Sequence, residues 1–234
     1  MHAIPGAGAA ELEATQGGIS QQIGRGVGFG EIGNYADAPA GSVSFELRSG
    51  GESVAETQEQ LRNRAHYTVV AMGNGSGRLI VLRDGGADGG TSSLRVVQAA
   101  PELGNVDVRL GDQVVAEGVG FGDVAPYTAV APGAYALQVT SPRDGSMISS
   151  RGAVTLTAGT SSTAFVIGTG GEPVETAVAA DRAAAPRGAP ATGLGGLADE
   201  DPQVFLALLA GLLGALAGAG IYVALTARSR RGGS

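Results

Sequence analysis

The sequence predicts an all-β protein: two tandem antiparallel β-sandwiches of immunoglobulin-like or transthyretin-like type, a disordered stalk, and one C-terminal transmembrane helix. Three observations predict it. Residues 26–35 (GVGFGEIGNY) recur 92 positions later as residues 118–127 (GVGFGDVAPY), and Gly41 falls on Gly133 in the same register. A block repeated at that spacing marks two copies of one small domain. Short stretches alternating apolar and polar residues, separated by Gly and Pro, are the pattern of half-buried strands in a sandwich. Finally, residues 204–226 run for 23 positions without a charge. The implied division is 1–90 for the first sandwich, 91–171 for the second, 172–203 for a Pro/Ala/Gly-rich linker, 204–226 for the membrane helix and 227–234 for an Arg-rich tail.

The second copy reads most clearly. Strands are predicted at 94–97 (LRVV), 106–110 (VDVRL), 113–115, 135–140, 154–157 and 164–167 (AFVI), with Gly111-Asp112 as a hairpin turn. The first copy echoes this at 43–48, 67–72 and 79–82. A helix over 52–64 is compatible with composition but is discounted, because the second copy has strand and turn there. Residues 2–6 (HAIPG) align with 98–102 (QAAPE), so the counterpart of 94–97 falls before Met1. The expectation is therefore a natural start further upstream, with a signal peptide and an R-V-V-like strand.

Residues 95–139, RVVQAAPELGNVDVRLGDQVVAEGVGFGDVAPYTAVAPGAYALQV, resemble the family called domain of unknown function 4397. The likeness rests on the RVV strand, the VDVRLGD hairpin, the GFGDV turn, the Tyr and the PGAYALQV strand; it covers 94–170 well and 2–82 more loosely. The resemblance implies tandem extracytoplasmic β-sandwich modules, of a type common in high-GC Gram-positive bacteria and often followed by a membrane segment. It implies no activity, substrate or catalytic residue.

Composition narrows the chemistry. There is no cysteine, which excludes disulfides, zinc–thiolate sites and cysteine nucleophiles. All 15 basic residues are arginine, and three of them follow the apolar segment. Residues 1–203 thus hold 12 arginines (15 less 3) against 22 acids, a net −10 that repels nucleic-acid backbones. The two histidines, His2 and His66, occupy unrelated places in the repeat, so no nucleophile–base pair is predicted. No catalytic, cofactor or metal site is expected. Asp84 and Asp88 of RDGGADGG could supply oxygens to calcium, but a flexible inter-domain linker has the same composition and is preferred.

The repeat signature is read as structural. In Gly28-Phe29-Gly30 and Gly120-Phe121-Gly122 the glycines permit a tight turn or close backbone approach while the phenylalanine plugs one end of a core. Tyr35 and Tyr127 are expected to anchor a corner by hydroxyl-to-backbone hydrogen bonding, six residues before Gly41 and Gly133.

As a helix, residues 204–226 span roughly 35 Å, enough to cross a hydrocarbon core of about 30 Å. Arg228, Arg230 and Arg231 follow it, whereas Asp199, Glu200 and Asp201 precede it; the positive-inside rule places the repeats outside and the tail in the cytoplasm. Ala210, Gly214 and Gly218 form a small-residue face suited to a weak helix homodimer. Ala189-Pro190-Ala191-Thr192-Gly193 resembles a cell-wall sorting signal cut by sortase between Thr and Gly, with Ala189 where leucine is usual. The preferred function is a non-catalytic protein of the cytoplasmic membrane that displays two modules for adhesion, scaffolding or envelope interaction, its partners being the lipid bilayer and cell-wall or other envelope proteins. The alternatives are a ligand-binding sensor that works through a membrane partner, and a sortase-processed cell-wall protein.

Overall fold

The computed structural model describes residues 1–74, 76–169, 174–181 and, as backbone, 203–207. The first repeat contains β1 (His2–Ala3), β2 (Ala10–Gln16), β3 (Ile19–Val27), β4 (Ala36–Pro39), β5 (Gly41–Ser49), β6 (Glu52–Leu61), β7 (His66–Asn74) and β8 (Ser76–Arg83). The second contains β9 (Ser92–Gln98), β10 (Val106–Leu110), β11 (Gln113–Val119), β12 (Val124–Val130), β13 (Gly133–Thr140), β14 (Met147–Leu156), β15 (Ser161–Ile167) and β16 (Glu175–Ala180). A last strand, β17 (Gln203–Ala207), returns to the first repeat.

Each repeat is a two-sheet sandwich. The outer sheets run β3-β2-β5-β6 and β11-β10-β13-β14, and the inner sheet of the second repeat runs β12-β9-β15-β16. The inner sheet of the first repeat has β7 at its centre, β8 on one side, and β1 and β17 on the other, with β4 beyond β17. Alternation explains the outer strands. In β10, Val106, Val108 and Leu110 are buried while Asp107 and Arg109 are half-exposed.

The two inner sheets pack face to face, so the described residues form a stack of four sheets with three apolar layers. One layer fills the first sandwich around Leu12, Phe45 and Val69, and a second fills the other sandwich around Leu94, Leu110 and Leu137. The third lies between the repeats and joins Val70, Met72, Val97, Ala99, Phe165 and Ile167. This explains why β9 and β15 are buried at every position. Leu94, Val96, Ala164 and Val166 face their own sandwich, while Val97, Phe165 and Ile167 face the other repeat. A strand covered on both sides reads as a continuous apolar run rather than an alternation.

Several expectations change. Residues 52–61 are strand, in keeping with the discounted helix. The stalk does not begin at 172: β16 pairs along the whole of β15 and Asp181 is buried, so the second sandwich extends through 181. Covering the free edge of β15 gives an Ala-rich segment a place in the fold that its composition does not announce. The membrane helix expected at 204–226 begins with extended residues, since 204–207 lie in β17; residues 208–226 and the Arg-rich tail are outside the described residues. Among the described residues no helix is long and apolar enough to cross a membrane. The sorting-like segment Ala189 to Gly193 is also outside them.

The first-strand position of the first repeat, expected to be vacant, is filled in two pieces. In the second repeat, Ser93, Leu94 and Arg95 of β9 lie parallel to Ser161, Ser162 and Thr163, with Ser93 and Leu94 antiparallel to Ala129 and Thr128. Phe205, Leu206 and Ala207 of β17 lie parallel to His66, Tyr67 and Thr68, and Phe205 and Leu206 antiparallel to Asp37 and Ala36. Further along β7, β1 takes over, with His2 opposite Ala71 just as Gln98 is opposite Val166.

Candidate functional site

The alignment of His2 with Gln98 holds to the atom. The Gln98 side chain accepts a bond from the Ala100 amide (2.6 Å) and donates to the Gly104 carbonyl (2.8 Å). His2 does the same with a ring: Nδ1 accepts from the Ile4 amide (3.3 Å) and Nε2 lies 3.2 Å from the Gly8 carbonyl. An Nδ1 that accepts and an Nε2 that donates define one neutral tautomer. Burial accordingly lowers the His2 pKa.

The Gly-Phe-Gly turns sit beside these residues. Gly30 donates to the His2 carbonyl and Gly122 to the Gln98 carbonyl. The acid after each turn caps it: Glu31 Oε2 accepts from the Gly28 amide (2.8 Å) and Asp123 Oδ2 from the Gly120 amide (3.1 Å). Gly30 and Gly122 have φ of +79° and +81°, which favours glycine, and a Cβ on Gly28 or Gly120 would press on the capping carboxylate. The phenylalanines depart from expectation. Phe29 and Phe121 remain 38% and 40% exposed and do not plug a core. Phe29 instead lies edge-on to His2, with ring centroids 6.5 Å apart.

Tyr35 and Tyr127 lead to a buried polar cluster where the repeats meet. Their hydroxyls donate to carboxylates, Tyr35 to Asp84 Oδ2 (3.0 Å) and Tyr127 to Asp181 Oδ2 (2.6 Å), and the Tyr127 hydroxyl also makes a backbone bond of the kind expected, accepting from the Gly85 amide (3.2 Å). Tyr135, not singled out from the sequence, makes the backbone corner bond, to Ala131 O (2.8 Å). The two aspartates are equivalent; their amides close the ends of β8 and β16 by donating to His66 O and Ser161 O. Each carboxylate also accepts from a threonine of the adjacent strand, Thr68 to Asp84 (2.8 Å) and Thr163 to Asp181 (2.8 Å).

Arg95 ties the halves together. Its Nε donates to Thr163 Oγ1 (2.8 Å) within its own repeat, while Nη2 donates to Asp84 Oδ1 (2.8 Å) and Nη1 to the Arg83 carbonyl (3.0 Å) of the other. Asp181 lies farther off, with Oδ1 3.8 Å from Nη2. The guanidinium also stacks 4.8 Å from the centroid of the Tyr127 ring. Burial raises the Tyr127 pKa, and burial likewise raises that of Asp181, opposed by Arg95. Asp84, read from the sequence as linker or calcium ligand, is thus turned inward and fully engaged, and among the described residues no three acids or histidines cluster as a metal site. Gly41 has φ +110°, whereas Gly133 packs under the Tyr135 ring without a positive φ.

Sequence reasoning missed Arg95, Asp84 and Asp181 as a set. The available signal was Arg95 itself: one charge in an apolar strand buried on both faces requires an opposite charge across the interface. A second feature is an open groove of about 640 Å³ between the edge strands β11 and β12, bordered by Val114, Val124, Glu117 and Asp123.

The model of one family matches twice, over residues 1–109 and 92–194, with the second match running through β16. The chain belongs to the family described as Domain of unknown function (DUF4397). Its two DUF4397 repeats are therefore the two sandwiches, and they carry equivalent Tyr–Asp–Thr sets. The chain matches no curated protein in sequence.

Proposed function

We propose that this chain is a non-catalytic, single-pass membrane protein of the cell surface, in which two DUF4397 repeats joined as one body are held outside the membrane for adhesion or scaffolding. The observation that carries this reading is how the buried charges are used. Arg95, Asp84 and Asp181 spend their hydrogen-bonding capacity on one another, on threonines and on tyrosines, in a sealed junction between repeats. Such a cluster holds shape and offers no opening to a substrate.

The apolar stretch supports the anchor. With β17 ending at Ala207, residues 208–226 still provide 19 uncharged positions, about 28 Å as a helix, close to a hydrocarbon core. In this arrangement the first repeat stands at the membrane surface. The test is topology in cells: protease added to intact cells removes the repeats, and alkaline carbonate leaves the protein in the membrane pellet. Repeats that resist external protease while a C-terminal tag is cleaved would reverse the orientation, and release at alkaline pH would remove the anchor.

A further inference from the structure

We propose that His2 is an acid-sensitive latch in the first repeat: protonation of its ring releases the β1–β2 loop and the Gly-Phe-Gly turn beside it, while Gln98 keeps the equivalent end of the second repeat closed. The two repeats supply the comparison. At matched positions, His2 and Gln98 each accept from the amide two residues on, Ile4 or Ala100, and each donate to the carbonyl six residues on, Gly8 or Gly104. The main-chain carbonyl of each also accepts from the turn that follows, through Gly30 or Gly122. The two side chains do the same mechanical task, and only one of them titrates near neutral pH.

The chemistry of release follows from the two bonds of the ring. The Gly8 carbonyl can only accept, so Nε2 carries the hydrogen; the Ile4 amide can only donate, so Nδ1 offers its lone pair. A proton added to the ring has one place to go, Nδ1, where it points at the Ile4 N–H. A donor then faces a donor, and a buried amide loses its partner. The surroundings do not solvate an imidazolium. His2 is 1% exposed, and the small cavity beside it is lined by aliphatic side chains of β2, β3, β5, β7 and β8. Two titratable groups adjoin it. The Met1 amine, when charged, opposes a second positive charge. Glu31 is committed elsewhere, its carboxylate capping the Gly28 amide and its carbonyl accepting from the His2 amide.

What the latch holds is one end of the first core. Ile4 is buried in that core and packs against Gly77 of β8, where a Cβ would come within 2.9 Å of its Cδ1. The rest of the loop, from Pro5 to Ala9, is half-buried or exposed, so it can lift without unpacking the sheets. Phe29, edge-on to the ring, loses its neighbour in the same step. The sign is fixed by burial, which lowers the His2 pKa from 6.5. The latch therefore contributes fully above 6.5 and weakens as pH falls below it, the open form gaining up to about tenfold by pH 5.5.

The experiment follows amide exchange by NMR in the whole chain in detergent micelles at pH 7.5 and 5.5, corrected for intrinsic rates, with the ring nitrogens read by their nitrogen-15 shifts. Expected are an unprotonated Nδ1 at pH 7.5, a ring that titrates below 6.5, and a loss of protection on acidification at Ile4 and Gly30 that exceeds the loss at Ala100 and Gly122 by up to about tenfold. In His2→Gln that excess disappears. The Met1 amine is unaltered in this variant, so the difference between the two chains reads the ring alone. If the variant does not fold, the ring titration and the comparison of matched amides in the unmodified chain decide. A ring that titrates at or above 6.5, equal loss of protection in the two repeats, or an excess that persists in His2→Gln overturns the proposal.

Discussion

Arg95 illustrates how one side chain can set the terms for its surroundings. Its fork satisfies Thr163, Asp84 and the Arg83 carbonyl in a site closed to water, so removing it strands two carboxylates in a medium that stabilises them poorly. Arg95→Ala is expected to cost about 3–5 kcal/mol, read as a fall in the urea midpoint, and Arg95→Lys to recover only part of it. A loss below about 1 kcal/mol would mean that the junction is hydrated or exposed. Titration at this scale has a definite sign. Burial lowers the amine of Met1 from 8.0 to about 5, so between those values the folded chain binds fewer protons than the unfolded one. Stability therefore falls as pH drops from 8 to 5, by up to about 4 kcal/mol. His2 adds to the loss below its ordinary 6.5, because its folded pKa is lowered too. Asp181 acts in the opposite direction: its pKa is raised above 3.8, so protonation on acidification returns part of the stability at the low end. Urea midpoints at pH 8 and pH 5.5 check the slope. His2→Gln copies Gln98 of the other repeat, so it should remove the histidine share and leave the amine share in place. A midpoint flat across this range would show that the amine is not buried in solution.

At the scale of strands, what was legible in the sequence follows from how many faces each strand buries. Strands β10 and β13 bury one face, alternate cleanly, and were placed within two residues of their ends. Strand β16 is not legible in the sequence, because ETAVAA lies in a stretch whose Ala and Pro content reads as stalk, and its pairing with β15 shows only in the fold. Strands β9 and β15 are legible at 94–97 and 164–167, and their apolar residues on both faces, interrupted in β9 only by Arg95, are also a sign of a second sheet packed outside the sandwich. That inference was available, since a lone sandwich leaves one face of each sheet in water. The polar cluster was hidden for the same reason: Asp84 and Asp181 look like loop acids until the inner sheets are brought together. The role of β16 can be tested by truncation. A chain ending at residue 171 lacks β16 and Asp181, whereas one ending at 182 keeps both and lacks β17 equally. The shorter chain is expected to be insoluble or to show exposed apolar surface by dye binding, and the longer one to remain folded and monomeric. Equal thermal stability in the two would mean that β16 covers nothing of consequence.

For the whole molecule, the decisive quantity is the apolar layer between the repeats. Two independent sandwiches joined by a linker would unfold in two steps, each with its own midpoint. Here the inner sheets share a core through Val70, Met72, Val97, Phe165 and Ile167, and Arg95 cross-links them at its edge. Neither repeat buries both faces of its inner sheet without the other, so the two are expected to unfold together in one transition. Phe165 is the largest side chain of that layer and is fully buried. Phe165→Ala should cost about 3–5 kcal/mol, and the loss should fall on the single transition, since the residue belongs to neither sandwich core. The comparison variant is Phe45→Ala, which opens a cavity inside the first sandwich alone. If the repeats are one cooperative unit, both variants shift the same calorimetric peak, and exchange at β10 and β13 in the second repeat speeds up even for Phe45→Ala. A split peak in unmodified protein, or a Phe45→Ala effect confined to the first repeat, would separate the modules and make the shared layer a weak contact rather than a core.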